Sequence, residues 1–566
     1  MTTAGVVPPR PSECDLVMQG GITSGVAYPA AVLELCKQFR FRSIGGASAG
    51  AMAAVVTAAA EYARDSGGFE RLEALRQQLR APGLILEQFR PSRQAEPLFR
   101  ILLAAQAKRT AGARTISYVW GVLRWLFLPL LVSAAVAFGL GWLLVSSAGG
   151  SLGGIGVAGW IVFAVGMLIT GGLGLTLALV FSVVRLVNHL PDNYYGMCIG
   201  AKQRPQDPDA LADWLHKQIQ IIAGKDVDDP LTFADLAAKG INLQLMTTDV
   251  TGRRPVRLPN QSYSDVSYLF SLDEWRRLFP TAVLDHLGRI SSVVYPGAGD
   301  LRALPTDDLP VLVATRMSLT FPVLLSAVPL WTVDGKRVAR HWFADGGISS
   351  NFPIQFFDAW LPTRPTFGLY FGPKVPAAQG EQPPVDPNLV GENPSVLGYL
   401  GAILNAGLNW HDTMQARLPG FRERVQQIQL TDGEGGFNLT MPPEVITSID
   451  EKGTAAGKAL LDFDFQKHWI ERYLIGMRML QRNLVTPDDG HVSVREAYPA
   501  AYQEWLAAGA PGTDAGKALG DTWCAEAAEA TSHLLDHAQN WLPCGETFVD
   551  GADPKPSVAM RIIPDI

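Results

Sequence analysis

A serine set between two glycines, where a β-prone run meets an alanine-rich stretch, constrains this chain more than any other feature. Residues 41–57 read Phe-Arg-Ser-Ile-Gly-Gly-Ala-Ser-Ala-Gly-Ala-Met-Ala-Ala-Val-Val-Thr. The β-prone run ends at Ile44, a tight turn follows, and a helix is expected from about Ala49. Gly46-Ala47-Ser48-Ala49-Gly50 has the G-x-S-x-G spacing of a nucleophile elbow. A strand that turns sharply into a helix exposes the serine hydroxyl and leaves little room for side chains two positions away. The helix then aims the positive end of its dipole at any anion formed beside that hydroxyl. Ser48 is therefore the candidate nucleophile, and a purely structural glycine turn is the plainer alternative.

Spacing alone decides nothing in a chain with 56 glycines. Gly149-Gly-Ser-Leu-Gly153 also fits G-x-S-x-G, and Gly154-Ile-Gly-Val-Ala-Gly159 spells the dinucleotide fingerprint. Neither follows a strand, and the second has no acidic residue about twenty positions on. Only Ser48 has the right context. Upstream, residues 15–18 read as a strand, 19–25 as a glycine loop and 26–39 as an apolar-faced helix. A glycine loop that opens a helix presents bare N–H groups to an oxyanion. In a βαβα order both turns open at the carboxyl edge of one parallel sheet, which argues for an α/β fold. Downstream, residues 338–344 form an expected strand leading into Asp345-Gly346-Gly347. That aspartate is either a base for Ser48 or part of an ordinary turn.

Gln19-Gly-Gly-Ile-Thr-Ser-Gly25, Gly46-Ala-Ser-Ala-Gly50 and Asp345-Gly-Gly347 resemble, in order, the three signature blocks of the patatin-like phospholipases. Ala314-Thr-Arg-Met-Ser-Leu-Thr-Phe-Pro322 resembles the family's helix that ends in Phe-Pro. The first block in that family is usually Asp-Gly-Gly-Gly-x-Arg-Gly, so Gln19, Ile22 and Ser24 depart from it. An N–H survives any non-proline substitution, whereas the Arg cation is lost. The resemblance implies a three-layer sheet with helices on both faces, built from residues 10–66 and 190–372. It implies a Ser-Asp dyad, with Ser48 as nucleophile and Asp345 as general base. The amides of Gly20, Gly21 and Ile22 would hold the oxyanion, and Gly25, Gly46, Gly50, Gly346 and Gly347 would shape the turns. The substrate it implies is a phospholipid or other acyl lipid, hydrolysed in phospholipase A or lysophospholipase fashion.

The competing arrangement is a Ser-His-Asp triad. His341 lies four strand residues from Asp345, roughly 13 Å along an extended strand, and cannot reach it. His411, His468, His491, His533 and His537 follow in the order an α/β-hydrolase requires, but none sits in a glycine-rich turn. No histidine–carboxylate spacing suggests zinc and no acidic loop fits calcium, so chemistry without metal or cofactor is expected.

Residues 125–184 contain no Asp, Glu, Lys, Arg or His. A run of that length holds two spans of about twenty residues. The expected transmembrane hairpin spans 125–146 and 157–183; the alternative is a buried hairpin, which at this length would show a polar face. Trp125, Trp142 and Trp160 stand near the ends as interfacial anchors do, and Ala135/Gly139 gives small-x-x-x-small spacing. Arg114, Arg124 and Arg185 flank the outer ends while the connecting loop is uncharged, which puts both flanks, and the catalytic body, on the cytoplasmic side. The net charge of −7 and pI near 5.8 argue against a nucleic-acid partner. Five scattered cysteines without C-x-x-C spacing suit reduced thiols, and the N-terminus does not read as a signal peptide.

Residues 67–124 read as a helical segment leading to the membrane, 373–395 as a linker or flap, and 396–566 as a mainly helical C-terminal region. Helices are expected there at 395–417, 468–484, 494–507 and 525–541, with one strand at 425–430. Two rival readings use the same features. An acyltransferase or triad-type esterase would employ the same serine, and a non-catalytic membrane-anchored scaffold would be consistent with Ser24 in place of the Arg.

Overall fold

A computed structural model describes residues 11–96, 188–259, 267–296, 300–372, 418–484 and 521–539, apart from a few positions within them (Ile22 included), and isolated residues elsewhere. Strand β1 (Glu13–Met18) is buried from Cys14 onward, as a central parallel strand covered on both faces must be. The chain continues through helix α1 (Tyr28–Leu35), β2 (Arg40–Ala47), α2 (Ala49–Tyr62) and α3 (Gly68–Gln78). After the segment that contains the uncharged run come α4 (Leu211–Ala223), β3 (Asn242–Asp249), β4 (Arg254–Leu258), β5 (Leu269–Phe270), β6 (Val293–Tyr295) and β7 (Leu301–Ala303). Helix α5 (Val311–Ser318) leads to β8 (Val328–Asp334), β9 (Arg337–Ala344) and β10 (Thr366–Phe371). The described C-terminal elements are β11 (Val425–Ile428), α6 (Pro443–Leu461), α7 (Phe465–Leu484) and α8 (Asp521–Gln539).

These strands form one mixed sheet of 11 strands in the order β11-β10-β1-β2-β3-β9-β8-β5-β7-β6, with β4 paired to β3. From β11 to β3 the pairing is parallel; β9 runs antiparallel to β3, and so does each pair beyond it. Alternation along β1 divides the core. Leu16 and Met18 join the large apolar cluster under α1 to α5, whereas Val17 faces a smaller cluster with Phe352, Ile354, Tyr370 and Val425. That second face is closed by the short 3₁₀ turn Ile354–Phe357: a side chain at Gly45 would touch Phe356 and Phe357. Among the described residues, aromatic turns therefore lie directly on a face where helices were expected.

The parallel sheet does not stop at residue 372. Strand β11 extends it, with Gly368 opposite Val425 and Phe371 opposite Ile428. Helix α6, absent from the helices expected by sequence, lies against α1. Gly453 and Gly457 let the two backbones touch: a Cβ would sit 2.1 Å from Ala27 O at the first and 2.6 Å from Ala31 O at the second. Arg76 of α3 and Arg80, just beyond its end, hold Asp450 of α6 at 2.7 and 2.6 Å. The expected linker at 373–395 and the helices at 395–417 and 494–507 lie outside the described residues, isolated positions aside.

The expected hairpin at 125–184 also lies almost wholly outside them. Gly172, Gly174, Thr176, Val180 and Val184 are helical, and Val180 and Val184 are exposed. Among the described residues no helix is long and apolar enough to cross a membrane. The glycine seam gives a direct test of the packing: Gly453→Val should lower stability by roughly 1–3 kcal/mol, read as a lower urea midpoint, because the backbone of α1 cannot give way.

Candidate active site

Ser48 is the single residue between β2 and α2, with φ 53° and ψ −129°. A non-glycine residue there costs on the order of 1–3 kcal/mol and persists only when its neighbours over-determine it. They do. Ser48 N–H donates to Ser318 Oγ at 3.0 Å, and Ser48 O accepts from Ala51 N–H at 2.9 Å. A Cβ at Gly50 would lie 2.1 Å from Met18 O, and one at Gly46 would lie 2.5 Å from Gly50 O. Both motif glycines are thus demanded by backbone contact with the end of β1.

Asp345 arrives by an unexpected route. β9 runs against β3, leaves it at the Thr248–Ala344 pair, and the chain then folds back over Met246. Met246 is the partner of Ala47 on β2, the residue just before Ser48. A Cβ at Gly346 would lie 2.2 Å from Met246 O, so the crossing needs glycine. Asp345 N–H donates to Thr320 O at 2.8 Å, Thr248 Oγ1 donates to Asp345 O at 2.9 Å, and Gly347 N–H donates to Asp345 Oδ1 at 2.8 Å. The Ser48 hydroxyl stands beside the carboxylate and lowers its pKa, although Oδ2 has no hydrogen bond of good geometry. Burial is the larger influence and pushes the carboxyl up to about 6, against the opposing pull of Ser48 and the Gly347 amide.

The loop at residues 19–25 differs from expectation in one donor. Gly20 N–H donates to Asn351 O at 2.8 Å, so it is committed to the scaffold and not directed at an oxyanion. Gly21 N–H has no acceptor among the described residues, and Ile22 lies outside them. Ala49 N–H, at the first turn of α2, has no intrahelical partner and adjoins Ser48. The sequence reading missed this amide, although the elbow motif places an oxyanion donor on the residue after the nucleophile. It also missed Ser318 and Asn351. The side chain of Asn351 fills the space beside Gly20 and Gly347 and so joins the two loops. Gln19 serves as an acceptor, taking Phe371 N–H at 2.6 Å. Ser24 is buried against Gly21 and Gly435, and Gly25 packs on Ala49.

From Ser48 an apolar cleft runs along α2 past Met52, Ala53 and Val56, between Leu75 of α3 with its C-cap Leu79 and Trp214 and Leu215 of α4. No histidine lines it among the described residues.

No family model matches the chain. An RpoH suppressor of Rhizobium meliloti (strain 1021) is 31% identical, over 97% of this chain and 98% of its own length. The chain belongs to the RpoH suppressor family. Among solved structures, VipD from Legionella pneumophila is 15% identical, with 98% of this chain and 94% of that one covered, at a TM-score of 0.28. ExoU in the ExoU–SpcU complex of Pseudomonas aeruginosa is 15% identical, with 93% and 67% covered, at a TM-score of 0.25.

In this member of the RpoH suppressor family the histidines have other duties. His341 Nδ1 pairs with Asp249 Oδ2 at 2.9 Å and its Nε2 with Thr332 Oγ1 at 3.0 Å. His468 packs on Phe463 and Phe465, and His533 and His537 are exposed. His411 and His491 lie outside the described residues.

The raised pKa of Asp345 has a consequence for stability. The native state keeps this proton to higher pH than the unfolded chain does, so the carboxyl favours folding fully below about pH 3.8 and the benefit is lost as pH rises to about 6. Asp345→Asn removes the buried charge. Relative to wild type, it should gain on the order of 2 kcal/mol between about pH 4.5 and pH 8, measured by urea unfolding at both.

Proposed function

We propose that this protein is a serine lipid acyl hydrolase, of phospholipase A or lysophospholipase type, that works through an acyl-enzyme on Ser48. The observation that carries the reading is the apolar cleft that begins at the Ser48 hydroxyl, beside a buried carboxylate. A site for polar esters would not need a wall of Met, Ala, Val and Leu, whereas a long acyl chain does.

In this reading Ser48 Oγ attacks the ester carbonyl carbon and its proton passes to Asp345 Oδ2, the oxygen with no other partner. The carbonyl oxygen becomes an oxyanion held by the amides of Gly21 and Ala49 and by the N-terminus of α2; each such donor is worth about 10²–10³ in rate. Collapse expels the alcohol or lysolipid, which takes the proton from Asp345. Water then attacks the acyl-enzyme, with Asp345 again as base, and frees the fatty acid and Ser48. An aspartate of ordinary pKa is a weak base near neutrality; one raised to about 6 is stronger and still ionised at pH 7. The uncharged run at 125–184, read as a two-span hairpin, would hold this site at the cytoplasmic face of a bilayer, where its substrate resides.

Ser48→Ala should abolish both hydrolysis of a mixed phospholipid substrate and labelling by a fluorophosphonate probe, while wild-type kcat/KM should show an acid limb with an apparent pKa near 6. Labelling that survives the substitution would refute the assignment of the nucleophile. The cleft makes a separate statement. Val56 lies two turns along α2 from Ala49, on the order of 10 Å at 1.5 Å per residue. Val56→Trp should therefore hydrolyse short-chain esters nearly as well as wild type and lose activity on chains longer than about eight carbons, read as a chain-length profile of kcat/KM.

A further inference from the structure

We propose that Glu423, His468 and Glu471 form a binding site for one divalent transition-metal ion, zinc in the first place. The sequence reading expects no metal, since no histidine–carboxylate spacing suggests one, and Glu423 lies far along the chain from the other two. Folding brings them together. Glu423 sits in the 3₁₀ turn Arg422–Arg424 that leads into β11, while His468 and Glu471 stand three residues apart on one face of α7. One ligand atom from each lies within 4.8 Å of the other two.

A cluster of acids would mean little without a sign that something is missing from it. Here the histidine supplies one. His468 is 3% exposed, and its Nδ1 has no hydrogen-bond partner. Glu471 Oε2 is also buried and unpartnered. A buried polar atom left unsatisfied costs about 1–3 kcal/mol, and two in one place call for a shared partner. The rings of Phe463 and Phe465 lie beside His468, with centroids 5.2 and 6.5 Å away, and give the site an apolar wall.

The surrounding cations do not close it. Arg424 and Arg472 are both held by Asp358, at 2.7 and 3.0 Å. Glu423 takes Arg422 Nε on Oε1 at 2.7 Å and Gly420 N–H on Oε2 at 2.8 Å, which leaves each oxygen a further lone pair. One imidazole and two carboxylates, with no thiolate, suit zinc or manganese better than a soft ion, and leave a fourth position for water. At metal–ligand distances of about 2.0–2.2 Å the donor atoms would draw in to roughly 3.3 Å from one another. Bound there, the ion would clip α7 to the turn ahead of the sheet's terminal strand, through residues that take no part in the Ser48 cleft.

The test is a zinc chloride titration of chelator-stripped, full-length protein in competition with a chromophoric chelator, with thermal unfolding followed in parallel. Wild type should bind one equivalent that is lost in His468→Ala and weakened roughly a hundredfold in Glu471→Gln, and zinc should raise the Tm of wild type but not of either variant. Glu471 is less buried than His468, so its variant keeps the test decisive should His468→Ala fail to fold. Ser48→Ala should bind zinc as wild type does, which separates this site from the catalytic reading. No stoichiometric zinc on wild type, or equal binding by wild type and Glu471→Gln, would overturn the proposal and leave a bridging water as the partner of the two buried atoms.

Discussion

Backbone contact between the end of β1 and the start of α2 is the constraint on which the rest of the site depends. With Gly50 against Met18 O, the helix begins so close to the neighbouring strand that the chain between them has one path, and that path forces Ser48 to positive φ. The strain is held by a hydrogen bond from outside the elbow, Ser318 Oγ receiving Ser48 N–H. Ser318 ends α5, and the segment after it carries Thr320, whose carbonyl receives the Asp345 amide. Ser48 and Asp345 are thus fixed through one short stretch of chain. A shift at the end of α5 would move both.

The same economy explains how a strand of the wrong direction delivers the carboxylate. Had β9 been parallel to β3, the residue after Ala344 would have continued away from the sheet at the edge where Ser48 lies. Because it is antiparallel, Asp345 turns back over Met246, and the Gly346 contact with Met246 O brings it to the level of Ala47 and Ser48. The C-terminal elements brace the opposite side of the loop. Helix α6 presses on α1, which follows directly from the residues 19–25 loop, and Gly435 packs on Ser24. Gly435 and α6 are therefore part of the packing around the residues 19–25 loop.

What could be read from sequence follows the locality of the cause. The elbow, β1, α3, α4 and β10 were legible because their signals (glycine spacing, apolar runs, a 3.6-residue period) lie within the element itself. Helix α6 was not, because Gly453 and Gly457 lower helix propensity and count in its favour only once α1 is seen against them. Strands β4 to β8 are short or half exposed, so their alternation is weak. In the site, the motifs point to Ser48 and Asp345, which the fold brings together, but they say nothing of the loss of the Gly20 amide to Asn351 O, since that bond joins residues 331 positions apart. Spatial pairing of that kind leaves no trace in one sequence.

The absence of a cation at position 24 bears on whether this arrangement is catalytic or degenerate. Ser24 is 2% exposed and packed against Gly21 and Gly435, so an arginine would have no room there. The buried arginine nearby, Arg316, donates to Thr320 Oγ1 and Ser326 O and so braces the loop that receives the Asp345 amide. What sets the base strength of Asp345 is burial, opposed by one hydroxyl and one amide, and the result stands near 6. A guanidinium beside it would pull that value down and make a weaker base. Serine at position 24 is therefore compatible with the dyad proposed above: it packs against Gly21 and Gly435 and brings no guanidinium that could lower the pKa of the carboxyl.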